Sequence, residues 1–138
     1  MNAHIKLLDG ITLIGKGNTN HWIPMDGPEK HGGSDAGSRP MELLLIGLGG
    51  CTGMDVVSIL KKKRVPFTDF NMELNAEQSE DYPKVFTKIK IKYIIYGDGI
   101  DDKDVARAIE LSETKYCSAM EMLRKSTKIE TEYEILKK

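Results

Sequence analysis

The chain of 138 residues has the length of one ordinary domain, and its 40% apolar and 30% charged residues are typical of globular proteins. Twenty basic and twenty-one acidic residues leave a net charge of -1, so we expect no nucleic-acid partner. The longest apolar run, residues 41–51, falls short of the ~20 residues of a membrane span, and the N-terminus lacks the apolar core of a signal peptide. We therefore expect no membrane partner and a cytoplasmic location.

Residues 1–39 are predicted to form three short strands and a loop. The strands are expected at residues 4–8, 11–14 and 21–25. Asp9-Gly10 joins the first two strands and is a strong hairpin signal, whereas Pro24 places the third strand at a sheet edge. The glycine-rich residues 27–39 are predicted to form a loop, and loops of this length are usually functional or mobile.

A long central helix is predicted over residues 40–64. Pro40 suits its first position, and Glu42 lies in the first turn, where the helix dipole favours anions. The basic cluster at residues 61–64 complements the C-terminal end of the dipole. Because the first half is apolar nearly all round, we expect a helix that is buried on most sides.

Residues 65–138 are predicted to form a hairpin, a second helix, a further short helix and a last strand. Alternating apolar side chains predict hairpin strands at residues 69–78 and 85–96. Asp101 and Asp102 open the second helix, whose apolar stripe contains Val105, Ala108, Ile109, Ser112 and Tyr116. With a final strand at residues 129–135, the sequence predicts a single α+β domain over residues 1–138.

Cys51 and Cys117 are the two cysteines of the chain. Two cysteines exclude a Cys₄ zinc site, and the spacing of His4, His21 and His31 is unfamiliar for a Cys₂His₂ site, so we expect no metal. A disulfide scaffold is not expected in a cytosolic domain of this size. Two interpretations remain open, a pair of buried apolar thiols and a redox pair.

Glycines crowd the sequence around Cys51. Four of them fall within seven positions, at residues 47, 49, 50 and 53. Each glycine in a helix interior costs about 1 kcal/mol relative to alanine. They therefore indicate either that another backbone packs closely or that a substrate needs room beside Cys51, and both can hold.

Cys51 needs a cation from outside its own helix in order to react as a thiolate. It is predicted about eleven residues into the helix, beyond the first turn over which the dipole acts. Arg39 is the candidate cation, because it is the arginine that precedes an apolar, glycine-rich segment. Glu42 is roughly 13 Å from Cys51 along a helix axis and Arg39 is further still. If these two residues serve Cys51, we expect them to come from a second subunit.

Three segments of the chain resemble the OsmC/Ohr family: Pro40-Met41-Glu42-Leu43-Leu44-Leu45, Leu48-Gly49-Gly50-Cys51-Thr52 and Lys115-Tyr116-Cys117-Ser118. The resemblance covers nearly the whole chain and is closest to a branch of small OsmC-like proteins. The chain departs from better-known members in two places. Met41 stands where their glutamate directly follows the proline, and Ser118 stands where a proline follows their second cysteine.

The resemblance implies a thiol-dependent peroxidase that reduces organic hydroperoxides or hydrogen peroxide in oxidative stress defence. It implies Cys51 as the peroxidatic cysteine and Cys117 as the resolving one. Glu42 lies one position after the place of the family's activating glutamate and is the candidate for it, whereas no residue here matches the family's activating arginine, for which Arg39 is our own candidate. It also implies two antiparallel sheets around long central helices, in an intertwined homodimer with sites at the subunit interface. An external dithiol would act as reductant, and no metal, flavin or nicotinamide cofactor is implied.

Two other functions fit the same sequence. One is a non-catalytic dimeric module whose pocket binds a small apolar ligand, with both thiols merely buried. The other is a redox sensor that is oxidised once and signals to a protein partner. The number of free thiols left after exposure to a hydroperoxide distinguishes the binding module from the enzyme, and sustained turnover with a dithiol distinguishes the enzyme from the sensor.

Overall fold

The structure, a computed structural model, describes residues 1–137, which contain six strands and three α-helices. The strands are β1 (His4–Asp9), β2 (Thr12–Lys16), β3 (Ile23–Met25), β4 (Phe67–Gln78), β5 (Phe86–Gly97) and β6 (Lys128–Leu136). The helices are α1 (Pro40–Lys62), α2 (Asp102–Leu111) and α3 (Ser118–Leu123). A 3₁₀ turn lies at Glu29–His31, and a π-helical segment, here called the π-turn, lies at Ser112–Tyr116. The predicted α+β class and the long helix are confirmed.

The first of two compact units comprises Met1–Leu44. In this unit β1, β2 and β3 form an antiparallel sheet with β2 at its centre. The predicted hairpin between β1 and β2 is present, but Asp9 belongs to β1 and the turn residues are Gly10 and Ile11. Gly10 has a φ of 53°, a conformation that glycine adopts without steric cost. Pro24 lies in the edge strand β3, as predicted.

Asp26 ties the loop of residues 27–39 to the end of β3. Its carboxylate accepts hydrogen bonds from four donors: Thr12 Oγ1 (2.8 Å) and the N–H groups of Gly27 (2.8 Å), Ser34 (3.0 Å) and Ala36 (3.1 Å). Arg39 Nη1 donates to the carbonyl oxygen of Asp26 (3.2 Å), and its guanidinium pairs with Asp35. Burial alone raises the pKa of Asp26, but the hydrogen bonds outweigh it and hold the pKa at about 2.

Asp26→Asn is expected to lower the Tm of the protein at pH 7. The amide nitrogen of asparagine cannot accept the hydrogen bonds that a carboxylate oxygen accepts from backbone N–H groups. The folded-state pKa of Asp26 lies below its ordinary value, so the stability that its charge contributes is present above about pH 4 and is lost as the pH falls towards about 2. Thermal unfolding of both proteins between pH 7 and pH 2 should therefore show a Tm difference that shrinks in this window. The exposed Asp81→Asn is the control, and a constant difference for Asp26→Asn would contradict the prediction.

The second unit begins at Leu45 and contains the sheet β4–β5–β6. β4 and β5 form the predicted long antiparallel hairpin, with Leu74 opposite Ile91. The central strand β5 supplies fully buried core side chains, namely Ile89, Ile91, Tyr93 and Ile95. β6 pairs with β5 in parallel, so the expectation of two antiparallel sheets is wrong for this sheet. The connection through α2, the π-turn and α3 is long enough to return the chain to the starting end of β5, which a parallel pair requires.

α1 packs onto β4 through two of its glycines. A Cβ atom at Gly49 would lie 3.1 Å from Leu74 Cδ1, and one at Gly53 would lie 2.8 Å from Met72 Sδ. Apart from the chain neighbours and the nearby helix backbone, a Cβ atom at Gly47 or Gly50 would meet no described atom within 4 Å. The neighbours of Gly49 and Gly53 are side chains of β4, so the interpretation of a closely packed backbone is wrong for these two glycines. Room for a substrate beside Cys51 stays a prediction.

Much of the apolar surface of α1 is not covered within one copy of the chain. By length and composition this helix could cross a membrane, a test that core helices also pass, and 28% of its apolar window is buried. Ile46 and Met54 are 60% and 76% exposed. Burial of this helix on most sides is expected to require a second copy of the chain and stays a prediction.

α2 ends before its predicted apolar stripe does. Asp101 caps the helix by accepting a hydrogen bond from the N–H of Lys103 (2.9 Å), and the stripe is buried as far as Ser112. The π-turn then widens the helical path, which changes the face on which the following residues lie. Tyr116 is 50% exposed, so its prediction as a member of the buried stripe is wrong.

Candidate active site around Cys51 and Cys117

Cys51 and Cys117 come together from distant parts of the sequence. Cys51 lies in the middle of α1 and is partly exposed, whereas Cys117 directly precedes α3 and is 3% exposed. Both are free thiols. Burial raises the pKa of Cys117, and Cys51 raises it further, which places the two side chains near each other.

Burial is the largest cause of the high pKa of Cys117, which is about 11. A hydrogen bond from the N–H of Met120 to Cys117 Sγ (3.4 Å) opposes this effect. Cys51 and the charge of Asp55 raise the pKa of Cys117 further. Cys117 is consequently a protonated thiol at neutral pH.

The π-turn fixes the position of Cys117. The N–H of Cys117 donates to the carbonyl oxygen of Ser112 (2.9 Å) and closes the turn. Arg124 holds the same segment, because its guanidinium donates to the carbonyl oxygen of Glu113. After the turn, the Cys117 sulfur caps α3 through the bond from Met120. Hydrogen bonds therefore hold this residue on both of its sequence flanks.

A connected set of polar side chains, three of them buried and one half-buried, begins one residue after Cys51. Thr52 Oγ1 lies 2.7 Å from Tyr93 Oη and 2.8 Å from Ser112 Oγ. Ser112 Oγ in turn donates to Asp55 Oδ2 (3.0 Å). We call these four residues the hydroxyl chain, which links α1, β5 and the π-turn.

Sequence reasoning missed the hydroxyl chain, although two of its members carry a signal. Thr52 and Ser112 are polar residues on otherwise apolar helical faces, and both are fully buried. A polar group in such a position needs a hydrogen-bond partner, because leaving it unpaired costs free energy. The pattern thus predicts a buried partner for each residue without identifying it.

Two cavities lie beside these residues. One of about 330 Å³ is lined by Cys117, Tyr116 and Lys115, among others. The second, of about 280 Å³, is lined by Asp55, Lys62 and also Tyr116. The first cavity lies at the lower end of the size range of small-molecule pockets, and the second lies just below it. Within residues 1–137 no three His, Cys, Asp or Glu side chains are arranged to hold a metal ion.

The sequence profile of the family described as OsmC-like protein matches residues 32–132. This range includes Cys51, Cys117 and the whole hydroxyl chain. The chain belongs to the OsmC family. The two three-stranded sheets and the long helix described above are this family's fold.

Similar proteins match almost the full length of this OsmC family member. Protein YhfA of Escherichia coli (strain K12) is 40% identical over 136 residues, which are 99% of this chain and 98% of that protein. A hypothetical protein from Aquifex aeolicus VF5 has a crystal structure with a TM-score of 0.87 and 33% identity, over 99% of this chain and 96% of that chain. The organic hydroperoxide resistance protein OhrB of Bacillus subtilis shares the fold, with a TM-score of 0.63 and 14% identity over 97% of this chain and 98% of that chain.

The other two predicted site residues, Arg39 and Glu42, lie in the first unit. Arg39 is engaged with Asp26 and Asp35 in the loop that precedes α1. Glu42 is exposed in the first turn of α1. Their assignment to the activation of Cys51 stays a prediction.

Proposed function

We propose that this chain is a thiol-dependent peroxidase that reduces organic hydroperoxides or hydrogen peroxide in oxidative stress defence. The proposal is carried by one observation: two free cysteines that differ in burial lie near each other in the structure. Cys51 is partly exposed, whereas Cys117 is buried and protonated. Peroxide reduction by such a pair needs one accessible sulfur that is oxidised and a second that resolves it.

Cys51 is the attacking sulfur in this proposal. The neighbouring Gly50 leaves open space on the helix surface, so a peroxide can approach. Cys117 is unsuited to attack, because burial raises its pKa to about 11 and a thiol is a far weaker nucleophile than a thiolate.

The first step is attack by the Cys51 thiolate on the outer peroxide oxygen. A sulfur–oxygen bond forms while the oxygen–oxygen bond breaks, and the departing alkoxide or hydroxide takes a proton to leave as alcohol or water. The sulfur has then lost two electrons to the peroxide and is a sulfenic acid.

Cys117 resolves the sulfenic acid. Its sulfur attacks the Cys51 sulfur, a disulfide forms, and the departing hydroxide takes the Cys117 proton to leave as water. The loss of negative charge at Cys51 favours this step, because that charge is one of the causes that raise the pKa of Cys117. An external dithiol then reduces the disulfide by thiol–disulfide exchange.

Family membership supports peroxide chemistry for this site. OhrB of Bacillus subtilis, which shares the fold, is named an organic hydroperoxide resistance protein. At 14% identity that likeness establishes the fold, so the substrate class is part of our proposal for this chain.

We also propose an intertwined homodimer that functions in the cytoplasm. Its support is the open apolar side of α1, where Ile46 and Met54 are exposed, since large exposed apolar surfaces mark sites of association. A second copy would cover this helix with protein rather than lipid. It would also allow Arg39 and Glu42 of one copy to approach Cys51 of the other, which they cannot reach along their own helix.

The test of the peroxidase proposal is a count of free thiols in the reduced protein after one equivalent of cumene hydroperoxide. We expect both thiols to be lost and an intramolecular disulfide to appear in the mass spectrum. With dithiothreitol present, peroxide consumption should continue over many turnovers, because the dithiol regenerates Cys51.

Cumyl alcohol, which lacks the oxygen–oxygen bond, is the control ligand and should leave both thiols intact. Two intact thiols after the hydroperoxide itself would contradict the proposal and favour a binding module. A single oxidation without sustained consumption would favour a redox sensor instead.

A further inference from the structure

The hydrogen bonds of the hydroxyl chain run in one direction. A carboxylate oxygen only accepts, so the single proton of Ser112 Oγ is given to Asp55. Ser112 must then accept from Thr52, and Thr52 must accept from Tyr93. Burial raises the pKa of Tyr93 above its usual range, so this residue keeps the proton that it donates.

The hydroxyl chain joins the two segments that carry the cysteines. Thr52 follows Cys51 in α1, and Ser112 is the residue whose carbonyl oxygen holds the N–H of Cys117 (2.9 Å). The 2.8 Å bond between Thr52 and Ser112 is therefore a direct side-chain link between the backbone next to one cysteine and the turn that carries the other. Asp55 adds a second link from one turn further along α1.

We propose that Thr52 and Ser112 are positioning residues that hold Cys117 in line with Cys51 for disulfide formation. The inference rests on the proposed function in assigning the resolving step to Cys117. That step forms the sulfur–sulfur bond, breaks the sulfur–oxygen bond of the sulfenic acid and releases water that carries the Cys117 proton. Without the link between α1 and the π-turn, the sulfenic acid lives longer and a second peroxide oxidises it to sulfinic acid.

The decisive variant is Thr52→Val, which keeps the side-chain shape and removes the hydroxyl. A peroxide pulse should oxidise Cys51 at a rate close to the parent's, whereas disulfide formation should slow about tenfold, within the ~10²-fold that a displacement of 1 Å can cost. Mass spectrometry should then find more sulfinic acid and less disulfide than in the parent. Thr52→Ser retains the hydroxyl and should restore the parent's proportions.

Two further variants separate positioning from a general loss of stability. Thr127→Val removes another buried hydroxyl of the same unit, one that donates to the carbonyl oxygen of Phe86 (3.1 Å), and should leave the product proportions unchanged. Ser112→Ala breaks the same link as Thr52→Val while the Thr52 hydroxyl can still pair with Tyr93. If Thr52→Val does not fold, Ser112→Ala tests the positioning role in its place.

A further experiment uses diamide, a diazene that oxidises thiol pairs directly to disulfides. It tests without peroxide whether Thr52 positions Cys117 relative to Cys51. Slower formation of the Cys51–Cys117 disulfide in Thr52→Val than in Thr52→Ser supports the inference even if the parent proves inert to hydroperoxides, a result that would overturn the proposed function alone. Equal rates in Thr52→Val, Thr52→Ser and the parent would overturn the inference.

Discussion

Cys51→Ser is expected to reduce hydroperoxide consumption to the uncatalysed background. A serine hydroxyl is a far weaker nucleophile than a thiolate at neutral pH, and the remaining thiol, Cys117, is buried with a pKa of about 11. A steady-state assay with cumene hydroperoxide and dithiothreitol measures the loss. The Cys117 thiol of the variant should also survive a peroxide pulse.

Cys117→Ser is the matched variant and should behave differently. Its Cys51 thiolate is intact, so one equivalent of peroxide should still be consumed at a rate close to the parent's. The resulting sulfenic acid has no resolving thiol, so excess peroxide should carry it to sulfinic acid. Mass spectrometry should show a gain of two oxygen atoms in this variant and an internal disulfide in the parent.

The two variants together assign the roles of the cysteines. If Cys51→Ser is oxidised while Cys117→Ser stays unmodified, the assignment is reversed. If neither variant is oxidised by peroxide, the peroxidase proposal itself is wrong. Circular dichroism of both variants checks that each remains folded.

Patterns confined to one element predicted the fold well. The bounds of α1 followed from Pro40 at its start and basic residues at its end, and the structure has this helix at Pro40–Lys62. The alternation of apolar residues and lysines predicted β5 within about one residue at each end. Such signals are local, because the backbone geometry of an element decides which of its side chains share a face.

Features that depend on the packing of distant elements were beyond the sequence. The apolar stripe of α2 contains no signal for the change from α-helix to the π-turn. The prediction that Tyr116 belongs to this stripe is wrong for that reason. The parallel pairing of β6 depends on the end of the sheet at which the chain leaves α3. The alternation of apolar and polar residues in β6 contains no information about that end. The partners of Thr52 were equally out of reach, because Tyr93 and Ser112 come to it from other elements.

The chain is expected to be a homodimer of about 31 kDa, twice the 15.5 kDa of one copy, at micromolar concentration. The exposed apolar side of α1 motivates this prediction, and an obligate dimer of this kind should bury more than ~2,000 Å². Light scattering after gel filtration measures the mass. A monomer would contradict both the dimer and the proposed approach of Arg39 and Glu42 to Cys51 of a second copy.

Met54→Asp tests whether α1 is the surface that associates. In a two-fold interface each copy would bury the new carboxylate, and an unpaired buried charge costs about 3–5 kcal/mol, enough to weaken association at least ~100-fold. Met122→Asp is the matched control, because Met122 of α3 is 75% exposed against 76% for Met54. We expect Met54→Asp to elute as a folded monomer and Met122→Asp to remain dimeric, whereas a dimeric Met54→Asp would place the interface away from this face of α1.

Because the proposed site is shared between copies, the monomeric Met54→Asp variant should also lose hydroperoxide turnover while both of its thiols remain in place.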